Sequence, residues 1–131
     1  LHPVMKQSAD LPVNNEWIKD VSDLPLADLL KMSDLLISDY SSVPFEFALL
    51  DKPILFYAYD IVAYDKTRGL IRNYTEVIPG VPCIDSEMLL EQMQDINKLQ
   101  SEVERFSHEW NLYSKGNASK QLLRYINKKP L

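Results

Sequence analysis

An α/β fold, in which helices cover both faces of a mainly parallel sheet, is predicted by two features of this 131-residue chain. Short apolar runs at residues 35–37 and 54–57 flank a segment with helical spacing, which gives a strand, a helix and a second strand in that order. Both runs are apolar at consecutive positions, as expected of strands that are covered on two faces. The chain is 46% hydrophobic and has the length of one domain with one core, so we predict a single domain over residues 1–131.

The other elements follow from apolar spacing and from signals that start helices. Up to residue 57 the predicted elements are a β-compatible segment at 17–21, a helix on Leu26, Leu29 and Leu30 after Asp23 and Pro25, the strand at 35–37, a helix from Ser41 or Ser42 to Leu50, and the strand at 54–57. Beyond residue 80 they are a strand at 81–84, a capped helix from Ser86 to Ile96, a helix on the apolar stripe from Leu99 to Tyr113, and a closing helix on Leu122, Leu123 and Ile126. Residues 58–80 are polar and rich in tyrosine, and we predict an irregular loop there.

Composition excludes several classes of protein. A charged fraction of 25% and only three glycines do not fit a disordered or low-complexity chain, and with a net charge of −5 the basic residues are too sparse for a general nucleic-acid surface. The longest apolar stretch, residues 45–59, contains Glu46, Asp51 and Lys52 and therefore cannot span a bilayer. The single cysteine, Cys83, cannot form an internal disulfide, and we expect it to be a small buried apolar residue.

The sequence Ser-Asp-Tyr-Ser-Ser-Val-Pro at residues 38–44 is the sharpest candidate for a site, because a buried strand passes into a helix there. The first turn of a helix leaves backbone N–H groups unpaired and carries partial positive charge, so it can hold a phosphate. Ser41 and Ser42 add hydroxyl donors, and Pro44 is tolerated at the third helical position if Ser41 is the cap. Ligands of open α/β sheets bind beyond the carboxyl ends of the strands. The segment therefore predicts a phosphate site, with a plain helix cap as the alternative.

Cations outside this turn are further candidates. His2 could lie at the same edge of the sheet, where an imidazole can donate to a phosphate or move a proton; an incidental surface histidine is the alternative. Arg68 and Arg72 could pair with phosphates through their planar guanidinium groups, although most surface arginines do not. We assign His108 to a solvated helix face. The sequence has no Asp-x-Asp pair, Cys/His cluster or His-Glu-x-x-His spacing, so nothing in it requires a metal or another cofactor.

Several motifs together resemble one enzyme family. They are Met-Ser-Asp-Leu-Leu-Ile-Ser-Asp-Tyr-Ser-Ser-Val at 32–43, Phe-Glu-Phe-Ala at 45–48, Lys-Pro-Ile-Leu-Phe-Tyr-Ala-Tyr-Asp at 52–60, Tyr64, Arg68-Gly69, Pro79-Gly80, Gly-Asn-Ala-Ser at 116–119 and Leu1-His2-Pro3. With them the chain resembles the CDP-glycerol glycerophosphotransferases that polymerise teichoic acids, a component of the bacterial cell wall. The resemblance covers nearly the whole chain.

The resemblance implies a two-domain glycosyltransferase-B (GT-B) fold. This chain is then the Rossmann-like C-terminal half, which binds the nucleotide donor, and we expect it to be a fragment of the larger enzyme. The residues with implied roles are Asp39, Ser41 and Ser42 at the donor diphosphate, Arg68 as a supporting cation, His2 as the catalytic residue facing the reacting phosphate, and Glu46 near the ribose. For Glu46, an interaction with the helix dipole is the alternative.

The implied reaction transfers glycerol phosphate from CDP-glycerol to a lipid-linked, teichoic-acid-type acceptor and releases CMP, mainly through alignment and stabilisation of phosphate charge. The family places a partner histidine on the other domain, so we expect this chain alone to be inactive. Such an acceptor implies a cytoplasmic enzyme that is peripheral to the inner face of the membrane, through parts outside this chain. Two alternatives remain: a related GT-B transferase that uses CDP-ribitol or a nucleotide sugar, and a non-catalytic nucleotide-binding module.

Overall fold

The structure, a computed structural model, describes residues 15–70 and 74–128. The chain divides into two compact units, Leu1–Ser33 and Asp34–Leu131. The prediction that residues 1–131 form one donor-binding domain stays a prediction. None of the helices in these two stretches is long and apolar enough to cross a membrane.

Residues 17–21, in the first unit, do not form the predicted strand. The side-chain oxygen of Asn15 accepts hydrogen bonds from the backbone N–H groups of Trp17 (2.8 Å) and Ile18 (2.7 Å), which holds a turn. Such local bonds between side chain and backbone compete with strand formation. The predicted helix is confirmed as α1, Leu26–Met32, whose buried residue is Leu30.

The second unit is built on a parallel pair of strands. Strand β1, Leu36–Ser38, pairs with strand β2, Ile54–Phe56, and Ile37 lies opposite Leu55. Every residue of β2 is buried, as its apolar run predicts. Ile37 in β1 is 46% exposed, so the prediction of cover on both faces does not hold for β1.

The predicted strand at 81–84 is reduced to one parallel bridge, between Cys83 and Tyr57. The Cys83 N–H donates to the Phe56 carbonyl at 2.7 Å, and the Ala58 N–H donates to the Cys83 carbonyl at 2.8 Å. The ladder extends no further, because the Val81 carbonyl accepts from the Gln92 side-chain amide at 3.1 Å and Asp85, two residues after Cys83, already caps a helix. Cys83 is fully buried, as expected. The bridge places a third parallel segment beside β2.

Helices account for most of the remaining described residues. They are α2, Val43–Phe47, which continues into a 3-10 turn at Ala48–Leu50, then α3, Ile61–Arg68, α4, Tyr74–Val77, α5, Ser86–Gln92, α6, Ile96–Trp110, and α7, Ala118–Lys128. The prediction of an irregular loop at 58–80 is therefore wrong, because α3 and α4 lie within it. Helix α3 buries no residue, so its sequence has no apolar stripe that marks a helix.

Two predicted helix boundaries also differ. The helix expected from Ser86 to Ile96 ends at Gln92, and its cap is Asp85, whose side chain accepts from the Met88 N–H at 2.8 Å. A new helix, α6, then begins at Ile96. Tyr113, expected at the end of the apolar stripe, lies beyond α6 and is 86% exposed.

The core of the second unit lies between β2, α6 and the 3-10 turn that follows α2. Helix α6 contributes Leu99, Val103 and Phe106, which repeat at steps of four and three residues and are all buried. Leu99 packs in one cluster with Leu55 of β2 and with Cys83. This core fixes the carboxyl ends of β1 and β2, where the candidate site lies.

Candidate functional site

A cavity of about 390 Å³ lies where β1 and β2 end. Because parallel strands end at the same edge of a sheet, the loop after β1 and the segment after β2 meet there. Asp39, Tyr40 and Ser41 line the cavity from the loop after β1. Other lining residues come from β2, from α2, α3, α4 and α6, and from the residues directly after α3 and α4. The volume is within the range of small-molecule sites.

One wall of the cavity is an aromatic cluster on α2 and α6. The ring centroids of Phe45 and Phe106 are 5.1 Å apart, and Trp110 meets Phe45 edge-on at 5.4 Å. The side-chain amide of Asn111 donates to the Phe45 carbonyl at 2.8 Å, which ties the end of α6 to α2. The apolar stripe of α6 thus packs against the body of the unit and also borders the cavity.

Tyrosines form a second wall of the cavity. The Tyr40 ring stacks on Tyr64 of α3 with centroids 3.8 Å apart, and it is tilted against Tyr74 of α4 at 5.3 Å. The Tyr40 hydroxyl donates to Oδ1 of Asp60 at 2.9 Å, and the Tyr74 hydroxyl donates to the Asp39 carbonyl at 3.0 Å. Two hydrogen bonds and a ring stack therefore connect the loop after β1 to the segment after β2.

The environment keeps both phenols protonated. Burial raises the pKa of Tyr40 above its ordinary value, and the hydrogen bond to Asp60 raises it further. Burial also raises the pKa of Tyr74, together with the negative charge of Asp39. Both hydroxyls consequently remain hydrogen-bond donors well above neutral pH.

The start of α2 differs in detail from the prediction. The cap residue is Ser42, so Pro44 is at the second helical position rather than the third. The Ser41 hydroxyl accepts from the Val43 N–H at 3.2 Å, whereas the Ser42 side chain makes no capping hydrogen bond. Helix α2 has only five residues, so its dipole is small and any attraction for a phosphate must come mainly from individual hydroxyl and amide groups.

The structure brings some of the sequence-predicted site residues together and not others. Asp39 and Ser41 line the cavity, and Ser42 is exposed next to them. Glu46 is exposed on α2 and is not among the lining residues. Arg68 is the exposed last residue of α3, directly before two lining residues, Gly69 and Leu70. His2 and Arg72 fall outside the described residues, and the roles given to all of these residues stay predictions.

Sequence reasoning missed the tyrosine wall. Tyr40, Asp60 and Tyr64 lie in the motifs that carry the family resemblance, and Tyr74 lies in the tyrosine-rich stretch, yet none was given a role. Their contacts join residues 20 and 35 positions apart in the chain, and no local pattern indicates such pairs. The density of tyrosines at residues 57–74 was the available signal.

Comparison with known proteins identifies close relatives of the chain. The family model described as CDP-Glycerol:Poly(glycerophosphate) glycerophosphotransferase matches residues 1–128. A teichoic acid glycerol-phosphate primase of Bacillus spizizenii W23 is 81% identical over 98% of this chain and 34% of its own length. A teichoic acid glycerol-phosphate primase of Bacillus subtilis 168 is 49% identical over 96% of this chain and 33% of its own length.

Solved structures of the wall teichoic acid polymerase TagF share the fold. One matches with a TM-score of 0.76 and 32% identity, over 97% of this chain and 33% of TagF, and a variant soaked with CDPG matches at 0.74. The predicted fold class is thereby confirmed: an α/β arrangement with a parallel sheet and flanking helices, as in a GT-B-type glycerophosphotransferase. The chain spans about one third of the length of these relatives.

Proposed function

We propose a donor-binding role for this chain, which belongs to the CDP-glycerol:poly(glycerophosphate) glycerophosphotransferase family. In this role it supplies the donor site of an enzyme that transfers glycerol phosphate from CDP-glycerol. The observation that carries the proposal is the cavity at the carboxyl edge of the sheet, because Asp39 and Ser41 line it. The family resemblance assigns these same residues to the donor diphosphate. The TagF variant soaked with CDPG supports the choice of donor.

The proposed reaction is a displacement at phosphorus. A hydroxyl of the acceptor attacks the phosphorus that bears glycerol, the bond between that phosphorus and the bridging oxygen of the diphosphate breaks, and CMP leaves. The hydroxyl proton passes to a base, for which we propose His2. Hydroxyl groups of Ser41 and Ser42 and the guanidinium of Arg68 then stabilise the charge that develops on the phosphates.

Asp39 and Glu46 have different proposed roles, and only Glu46 contacts the donor. A carboxylate repels a diphosphate, so we propose that Asp39 acts through its place in the loop rather than as a phosphate ligand. Glu46 is exposed on α2, one residue beyond the cavity-lining Phe45, and we propose that it accepts a hydrogen bond from a ribose hydroxyl.

The acceptor belongs to the part of the enzyme outside this chain. We propose a lipid-linked, teichoic-acid-type acceptor, and the names of the relatives support the teichoic-acid part of this proposal. A lipid-linked acceptor in turn implies a position at the inner face of the membrane, which we propose as well. Those two relatives are named for glycerol phosphate, which favours CDP-glycerol over CDP-ribitol or a nucleotide sugar as the donor.

The proposal is tested with the full-length protein from which this chain comes. The measurement is nucleotide release from CDP-glycerol, CDP-ribitol and UDP-glucose in the presence of a lipid-linked acceptor. We expect CMP release from CDP-glycerol at least about tenfold faster than nucleotide release from the other donors, a difference of about 1.4 kcal/mol in the barrier. Faster turnover of CDP-ribitol would assign the alternative donor. Binding of CDP-glycerol without any release of CMP would instead identify a non-catalytic module.

A further inference from the structure

We propose that Tyr40, Asp60, Tyr64 and Tyr74 form a clamp that holds the loop carrying Asp39, Ser41 and Ser42 in its donor-binding conformation. This inference rests on the proposed function and adds positioning residues to it. The name tyrosine clamp is used below for these four residues. None of them has a role in the assignments drawn from the family resemblance.

The first part of the clamp acts on a side chain within the loop. Tyr40 lies between Asp39 and Ser41, so any restraint on its side chain also restrains those two neighbours. Its ring stacks on Tyr64 at 3.8 Å with an angle of 22° between the ring planes, and its hydroxyl donates to Asp60 at 2.9 Å. A ring held on one face and at its hydroxyl has few alternative rotamers.

The second part of the clamp acts on the loop backbone. The Tyr74 hydroxyl donates to the carbonyl oxygen of Asp39 at 3.0 Å, across 35 positions of sequence. This bond fixes the orientation of the peptide group that joins Asp39 to Tyr40. Phe56 of β2 meets the Tyr74 ring edge-on at 6.2 Å, so Tyr74 is itself supported by the buried sheet.

The clamp has a thermodynamic consequence for binding. Fixing the backbone of a flexible residue costs conformational entropy, and a ligand that must order a loop loses that free energy from its affinity. A loop that is already held in place avoids this cost. Loss of a clamp contact should therefore weaken binding of the donor while leaving the chemical step nearly unchanged, which is the signature of a positioning residue.

Two substitutions remove single contacts and preserve the rings. Tyr40→Phe removes the hydrogen bond to Asp60 and keeps the stack on Tyr64, and Tyr74→Phe removes the bond to the Asp39 carbonyl. Asp60→Asn keeps an acceptor oxygen for the Tyr40 hydroxyl, so it should retain most of the affinity. Tyr113→Phe is the matched control, because Tyr113 is 86% exposed.

The experiment uses the full-length enzyme and measures the calorimetric Kd for CDP-glycerol, together with KM and kcat for CMP release. We expect Tyr40→Phe and Tyr74→Phe to raise Kd and KM roughly 3- to 10-fold, the scale of one lost hydrogen bond, with kcat within about twofold of wild type. Tyr113→Phe should match wild type in all three constants.

Different outcomes separate this inference from the proposed function. Unchanged Kd in both clamp variants, or a lower kcat with unchanged Kd, would overturn the clamp even if the wild-type enzyme turns over CDP-glycerol. Wild-type binding without turnover would contradict the proposed function, while the Kd values would still test the clamp. If the wild type does not bind CDP-glycerol, both are wrong.

Discussion

The two serines of the loop after β1 differ in what their hydroxyl groups already do. The Ser41 hydroxyl accepts from the Val43 N–H, so its removal would also leave a backbone group at the start of α2 without that partner. The Ser42 side chain makes no capping bond. Replacement of Ser42 therefore tests ligand binding with little effect on the fold. Replacement of Ser41 would change both ligand binding and the stability of the start of α2.

The raised pKa values of Tyr40 and Tyr74 predict a loss of stability at alkaline pH. The unfolded phenols ionise near pH 10, whereas the folded ones hold their protons to higher pH. Above about pH 10 the folded state thus binds more protons than the unfolded state, and the free energy of unfolding falls as pH rises. Below about pH 10 the protonated phenols of Tyr40 and Tyr74 contribute their full stabilisation to the folded state.

Urea unfolding of the chain at several pH values between 8 and 11 measures this effect, a range set by the ordinary tyrosine pKa of about 10. We expect Tyr40→Phe to lose less stability than wild type between the ends of the range, because one of the two perturbed phenols is gone. Tyr113→Phe should behave as wild type. If the free energy of unfolding falls equally with pH in Tyr40→Phe and in wild type, Tyr40 does not contribute to the loss of stability at alkaline pH.

Helix α6 is the element on which the core of the second unit depends. Its buried face packs on β2, and Leu99 contacts the same cluster as Leu55 and Cys83. The same helix carries Phe106 and Trp110 at the cavity. Core packing and the shape of the candidate site are thus linked through one helix.

Leu99→Ala should lower the free energy of unfolding of the chain by about 2–5 kcal/mol, because it removes buried methyl groups and leaves a cavity. Leu90 on α5 is the matched control. Its side chain is 62% exposed, and Leu90→Ala should change stability by no more than about 0.5 kcal/mol. Chemical denaturation followed by tryptophan fluorescence gives both values, and equal losses in the two variants would contradict this assignment of the core.

Elements with a strong apolar pattern were predictable from the sequence, and elements without one were not. Strand β2 and helix α6 were found because burial selects consecutive or stripe-like apolar residues. Helix α3 was missed because it buries nothing. The segments at 17–21 and 81–84 look like strands locally, but other hydrogen bonds take their backbone groups. The Asn15 side-chain oxygen accepts N–H groups of the first segment, and in the second the Val81 carbonyl accepts from the Gln92 side chain while Asp85 caps α5.

The same distinction applies within the candidate site. Asp39 and Ser41 could be found because the passage from a strand into a helix is a local signal, and the cavity lies there. The contacts of Tyr40 with Asp60 and Tyr64, and of Tyr74 with Asp39, depend on how α3 and α4 fold back over the loop. Sequence spacing alone contains no information on that arrangement.

At the scale of the whole molecule, we propose that the donor binds to this chain and that the acceptor binds to the rest of the enzyme. The chain spans about one third of the relatives' length, and the family resemblance puts a second histidine outside it. Binding of CDP-glycerol should consequently respond to substitutions in this chain, whereas we expect turnover only in the full-length protein.

The most direct test of the account is the calorimetric affinity of the full-length protein for CDP-glycerol, in wild type and in Ser42→Ala. We predict that Ser42→Ala raises Kd about 5- to 150-fold, which corresponds to about 1–3 kcal/mol for a lost hydrogen bond to a charged phosphate, without a change in Tm. Ser86→Ala is the control, since Ser86 also begins a helix but Asp85 is its cap. An unchanged Kd in Ser42→Ala, equal to that of wild type and Ser86→Ala, would contradict the assignment of the donor phosphates to this loop.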